Sequence, residues 1–284
     1  MFIYQSRFLI RGEVWFDDEQ DDAPVDWIYY RQRPSPVARA RSKCFYTLLI
    51  DLAKSPEQLR SETEEKTVQK IEAAEKNDRT RWERCEPEDP KIMDEVERMW
   101  NESAAARNSA PLDRPWVNKL IEAGALELSA TKDAAGRVLT YHLSYVGKNR
   151  AQDLIVVSPS SALPNTALRS RINRANCLGH WQTMLALKGR GLRHYDFGGW
   201  YPGNTNVRLL GMNAFKKGFG GQVVREFDCQ EIRTVKGWIV LTAARMFQRV
   251  RLLHGTGGRG TSRLRNPENQ IHAAAKNCEV SPAF

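Results

Sequence analysis

"RHYDFGGWYPGNTNVRLLGMNAFKKGFGG", residues 193–221, sets an acid at the end of a short apolar strand, a glycine pair behind it, and a Phe-Lys pair before two more glycines. The stretch "LRHYDF" (192–197) reads as a strand, 206–217 as a short helix and "GQVVREFD" (221–228) as the next strand. Glycines at both junctions let backbone approach a ligand closely or take positive φ. The segment therefore reads as a strand-to-helix crossing beside a substrate channel.

The chain on either side supplies more of the same alternation. Strands are expected in "FLIRGEVWF" (8–16), "VDWIYYRQRP" (25–34) and "KCFYTLLIDL" (43–52), which are rich in β-branched and aromatic residues. Residues 56–76 are almost free of β-branched residues and predict one helix, with Ser55 as its cap and Pro56 at its first position. Two further helices are predicted over 90–107 and 115–123. A meander of three strands (125–133, 137–147, 151–159) follows, with turns at "AAG" and "KNR". A long helix over 165–188 carries Leu168, Ile172, Ala175, Leu178, Trp181 and Leu185 at helical spacing. A final helix is predicted over 234–253. This order defines an α/β fold with a mixed sheet flanked by helices, and no internal repeat is found.

With 284 residues, 41% of them hydrophobic, the chain can bury a sizeable core. No apolar run approaches the roughly 20 residues of a membrane helix, and "MFIYQSRFLI" is broken by Gln5, Ser6 and Arg7, so no signal peptide or transmembrane segment is expected and the protein is placed in the cytoplasm. The formal charge of +9 favours an acidic partner: nucleic acid, a nucleotide-bearing cofactor or an anionic membrane surface. The five cysteines are scattered and odd in number, with no C-x-x-C pair and no His at ligand spacing. They indicate neither a disulfide framework nor a zinc site, and no metal is expected.

The order of elements is similar to the GNAT acyltransferase fold, and local patterns over residues 45–230 resemble its Fem-related branch, whose members add amino acids to peptidoglycan precursors. The resemblance rests on "LLIDLAKSPEQL" leading into "KTVQKIEAAEK", on "RINRANCLGHWQTMLALKGRGLRHYDFGG" and on "GMNAFKKGFGGQVV". It implies a GNAT-like domain over 45–253, an N-terminal β elaboration over 1–44 and a flexible basic tail over 254–284. Fem enzymes carry two GNAT-like units, whereas this chain has room for one. The GNAT cofactor loop is represented only by Ser170, Asn173 and Ala175. The resemblance implies an N-acyltransferase taking acyl-CoA as donor and an amine as acceptor, in an amino sugar, a peptidoglycan or polysaccharide precursor, or a small amine. An aminoacyl-tRNA donor is the alternative, and an inactive anion-binding module a third.

Candidate site residues follow from both sources. Arg169, Arg171 and Arg174 crowd the positive end of the long helix. A bound diphosphate would relieve them; so would water or distant carboxylates. Asn173 belongs to the cofactor loop by resemblance, and Asn176 offers an amide to a cofactor or to a structural hydrogen bond. Asp196 can orient or deprotonate an amine, or cap the loop behind it. By resemblance, Phe215 and Lys216 lie at the active site, the lysine stabilising negative charge on the acyl group; a lysine there also suits a helix C-terminus. His142, Tyr141 and Asp153 lie on meander strands, where one of them can serve as base or acid. His180 and Trp181 read as packing residues. Trp200 and Tyr201 either wall an acceptor pocket or cover the core. With no G-x-S-x-G and no base beside Cys177, direct attack by the amine fits better than a covalent acyl-enzyme.

Overall fold

A computed structural model describes residues 1–6, 8–16, 18–19, 22–159, 166–254 and 279–280. In chain order the elements begin with β1 (Phe2–Ser6), β2 (Leu9–Trp15), β3 (Trp27–Arg33), β4 (Arg41–Asp51), α1 (Pro56–Glu62), α2 (Glu65–Glu72) and a π-helical turn, Ala73–Asn77. They continue with β5 (Arg81–Cys85), α3 (Pro90–Ala106), α4 (Arg114–Glu122), β6 (Leu126–Lys132), β7 (Val138–Val146), β8 (Arg150–Val157) and α5 (Thr166–Gly189). Then come β9 (His194–Gly199), α6 (Val207–Lys217), β10 (Gln222–Ile232), α7 (Val235–His254) and the two-residue β11 (Glu279–Val280). Packing separates Tyr46–Val224 from a second unit that joins Met1–Phe45 to the described residues from Arg225 onward. The predicted tail over 254–284 lies outside the described residues, apart from His254 and β11, which pairs with Ser42 and Lys43.

In the larger unit the strand order is β4-β9-β8-β7-β6-β5. Only β8 and β9 are parallel within it. Strand alternation sends Tyr141 toward α3, where its hydroxyl donates to Glu95 at 2.7 Å, and His142 to the opposite face, against α5. The core between α5 and the sheet is built from Leu48, Ile50, Leu178, Trp181, Met184 and Tyr195, among others.

The predicted helix over 56–76 is broken. Ser55 does cap α1, in a reciprocal capping box with Gln58. At Thr63, however, the chain turns extended, and Glu64 N–H donates to the Gly218 carbonyl at 2.8 Å. Long-range pairing outcompetes a composition that favours continuous helix. The strand β5 was not expected either. "RWERC" has no apolar alternation because it is an edge strand, with one long face toward solvent.

The smaller unit orders its strands β1-β2-β3-β10. The hairpin partner β1 was also unforeseen: Gln5 and Ser6, read as interruptions, pair with Ile10 and Leu9. Buried Glu13 accepts from Tyr4 Oη at 3.1 Å and pairs with Arg31, while Arg11 lies over the rings of Tyr4, Trp27 and Tyr29. Cys44 is disulfide-bonded, against the expectation of no disulfide, and its partner lies outside the described residues; Cys85, Cys177 and Cys229 are buried free thiols.

Candidate active site

The parallel strands β8 and β9 pair through three positions only, Arg150↔His194, Ala151↔Tyr195 and Gln152↔Asp196. Beyond them the strands part, at Asp153 on one side and Phe197 on the other. Parting parallel strands leave main-chain groups and facing side chains open to a ligand.

Asp196 is fully buried at this fork. Arg150 donates to its Oδ2 from Nε at 3.1 Å and from Nη2 at 2.5 Å; Thr47 and the Gly198 amide (2.7 Å) donate to Oδ1. A buried ion pair with this many supporting hydrogen bonds is an anchor, and removing one partner from such a pair costs about 3–5 kcal/mol. The anchor holds Gly198, whose φ of +69° requires glycine and whose added Cβ would sit 3.2 Å from the Asp153 carbonyl. From the last turn of α6, Lys216 Nζ donates to the Gly198 and Gly199 carbonyls at 3.2 and 2.7 Å. The glycine pair of the opening sequence thus joins the carboxylate to the lysine.

Asp153 stands at the fork with its Oδ1 buried and without a hydrogen-bond partner among the described residues. Burial pushes its carboxyl up to about 7; Lys216 pulls it down and Asp196 pushes it up. A carboxylate so poised suits proton exchange near neutrality. His180, from α5, faces the same point. Its Nδ1 meets the Tyr195 hydroxyl at 2.9 Å, and its ring is enclosed by Phe197, Phe215 and Phe219 at centroid distances of 4.9, 5.6 and 5.6 Å. Burial first, then His142 and Lys216, hold it well below the ordinary histidine range, so it is neutral. His142 is buried edge-on to His180 at 4.7 Å, with Nε2 3.1 Å from Thr140 Oγ1, and burial lowers it to about 3. Its ring fills the space that a side chain at Gly179 would occupy.

One ligand atom each from His142, Asp153 and His180 lies within 4.8 Å of the others, a donor set that suits a divalent metal. The Lys216 ammonium acts on both Asp153 and His180, and a fixed cation beside the cluster opposes a second one.

The remaining candidates fall in two places. At the start of α5, Arg169, Asn173 and Arg174 line a pocket of about 500 Å³ together with Thr166, Ser170 and Lys70. Arg174 is held by both oxygens of Asp78 at 2.6 and 2.8 Å, and Arg171 donates to the Asp78 carbonyl at 2.7 Å. The π-helical turn is what delivers Asp78 to them. Both arginines also line a larger cleft of about 1220 Å³ on the side of Tyr141 and Glu95. Asn176 keeps a buried Oδ1 without a partner among the described residues. In the loop after β9, Trp200 packs on the core and Tyr201 is clamped by Asn213, which accepts from its amide at 3.1 Å and donates to its carbonyl at 2.8 Å.

Phe215, Lys216, Asp196 and His142 are thus brought together at the fork, whereas the arginines are not part of it. Lys70, Asp78 and the role of His180 were missed. For His180 a signal existed: the glycine before it, in mid-helix, costs helix stability and implies a neighbour needing the space.

No family model and no curated protein matches this sequence. Among solved structures, FemX superposes with a TM-score of 0.54 at 15% identity, covering 66% of this chain and 61% of FemX. The chain therefore spans less than two thirds of that relative. The C-terminal domain of a putative lysylphosphatidylglycerol synthetase from Agrobacterium fabrum matches with a TM-score of 0.48 at 15% identity, over 83% of this chain and 75% of that one. A tandem GNAT protein from the clavulanic acid biosynthesis pathway matches with a TM-score of 0.37 at 13% identity, over 72% and 64%. The fold, a mixed sheet flanked by helices, resembles that of FemX. Among the described residues no helix is long and apolar enough to cross a membrane.

Proposed function

We propose that the protein is a transferase that moves an acyl or aminoacyl group to an amine by direct attack, at the fork between β8 and β9. The observation that carries this reading is the gathering of Asp153, His180 and Lys216 where two parallel strands stop pairing. Asp153 takes a proton from the acceptor ammonium. The freed nitrogen forms a bond to the donor carbonyl carbon, the oxyanion is stabilised by Lys216, and the bond to the leaving sulfur or oxygen breaks, that atom taking the second proton, which the nitrogen sheds as the amide forms. A cation facing a developing oxyanion is commonly worth about 3 kcal/mol. Asp196 is a positioning residue, holding through Gly198 the carbonyls that seat Lys216. Phe215, Trp200 and Tyr201 bound the acceptor side.

The donor we favour is an acyl-CoA thioester, its diphosphate at the α5 start, where Lys70 and Arg169 share a pocket with Asn173. Arg171 and Arg174 then act with Asp78 to hold that pocket open. An aminoacyl-tRNA donor is the second reading, favoured by the formal charge of +9. Amino sugars, envelope precursors and small amines are the acceptor classes.

Thermal-shift titration with CoA, acetyl-CoA and charged tRNA at two salt concentrations separates these readings. A saturable, weakly salt-dependent shift with the thioester supports the first, and a shift with tRNA alone that collapses in salt supports the second. No shift with any donor, and no thiol or tRNA released with an amine panel, overturns the transferase reading.

A further inference from the structure

Away from the fork, α7 carries an exposed apolar face. Its described side chains leave Val235, Trp238, Ile239 and Met246 exposed at 75%, 59%, 55% and 64%. With Thr242 they fall within an arc of about 100° on a helix of 3.6 residues per turn. Gly237 points the other way. It is the buried position, and an added Cβ there would meet the Asp26 carbonyl at 2.5 Å. The helix start is fixed on that side: Asp26 accepts from Thr234 Oγ1 at 2.6 Å and from Lys236 Nζ at 3.1 Å. A firmly rooted helix thus holds an apolar stripe away from its own unit.

The stripe needs a cover, and charge selects it. Lys236, Arg245, Arg249 and Arg251 make α7 basic, and it contains no Asp or Glu. A second copy docking stripe to stripe would set two carboxylate-free basic helices against each other. A nucleic acid would satisfy the charge and leave the tryptophan and isoleucine wet. An anionic lipid surface takes both, because an interfacial helix buries its apolar face at the acyl boundary while Lys and Arg meet the headgroups.

We infer that α7 seats the protein on anionic membranes, lying in the interface plane with Trp238 and Ile239 inserted. This inference is independent of the transfer chemistry. The test is co-sedimentation of the full-length protein with vesicles of phosphatidylcholine alone and of equimolar phosphatidylcholine and phosphatidylglycerol. We expect at least tenfold stronger partition onto the anionic vesicles, weakened by salt, and loss of that preference in Trp238→Glu/Ile239→Glu with the thermal transition unchanged. Should that variant not fold, Met246→Glu is expected to weaken partition severalfold. Failure of the wild type to sediment, or equal sedimentation of a folded stripe variant, overturns the inference. So does a dimer by light scattering that the variant abolishes without any vesicle binding, which would assign the stripe to a second copy.

Discussion

Asp153 carries two opposite demands. As a base it must be ionised, yet its site holds the proton to about pH 7, well above the ordinary 3.8. The folded protein therefore binds more protons at this group than the unfolded chain between about pH 4 and 7, so its contribution to stability falls as pH rises through that window. Asp153→Asn is expected to raise the unfolding temperature at pH 8 and change it little at pH 4. The same variant is expected to lose about 100-fold or more in transfer rate, where wild-type kcat/KM climbs with pH to a plateau above about 7. A pH profile that keeps its shape in Asp153→Asn would remove the residue from the chemistry. Lys216→Ala is expected to cost about 100-fold in kcat with donor affinity kept, read by steady-state kinetics. Lys216 and Phe215 could be nominated from sequence because a local motif carries them. Asp153 was one of three strand candidates that the sequence could not rank, and His180, marked only by the glycine before it, read as packing, because their burial beside one another is set by residues distant in sequence.

Elements were legible where a cap residue marks the boundary, as Ser55 does for α1 and Asn206 for α6, and illegible where a partner far along the chain decides. The break between α1 and α2 depends on the Gly218 carbonyl, and β5 on the free edge of β6. The contrast is sharpest inside α5. Helix propensity alone makes Gly179→Ala stabilising by about 1 kcal/mol. The His142 ring stands where the methyl would go, and overpacking of this kind costs about 1–3 kcal/mol. Urea unfolding is expected to show net destabilisation, relieved when Gly179→Ala is combined with His142→Ala; persistence of the full loss in the double variant would mean that the two do not collide. At the other end of the chain, Asp26 is lowered to about 2, first by the Thr234 hydroxyl and then by the Ile10 amide. Its stabilisation is present above about pH 4 and is lost as pH falls toward 2. Asp26→Ala is expected to speed amide exchange in the first turn of α7, with the larger unit unaffected.

For the molecule as a whole, the alternation of strands and helices was readable because each element is punctuated locally. The division into units was not, since it falls inside β4 and β10, continuous strands with no glycine or proline to mark the boundary. With Lys216 beside the His142, Asp153 and His180 cluster, transfer is expected to survive exhaustive chelation; loss of activity restored by one divalent ion would assign the cluster to that ion. The smaller unit has one more consequence, for the order in which the protein is made. Tyr30 finds its hydroxyl partner, Glu231, 201 residues later, so at ribosomal speeds of roughly 5–20 residues per second β3 emerges on the order of 10–40 s before β10. Throughout that interval β3, paired with β2 on one side, presents an open edge on the other while the larger unit is synthesised behind it. Chaperone capture during translation should therefore concentrate on residues 1–45, and a chain released after Val224 should keep the larger unit folded and leave residues 1–45 protease-sensitive.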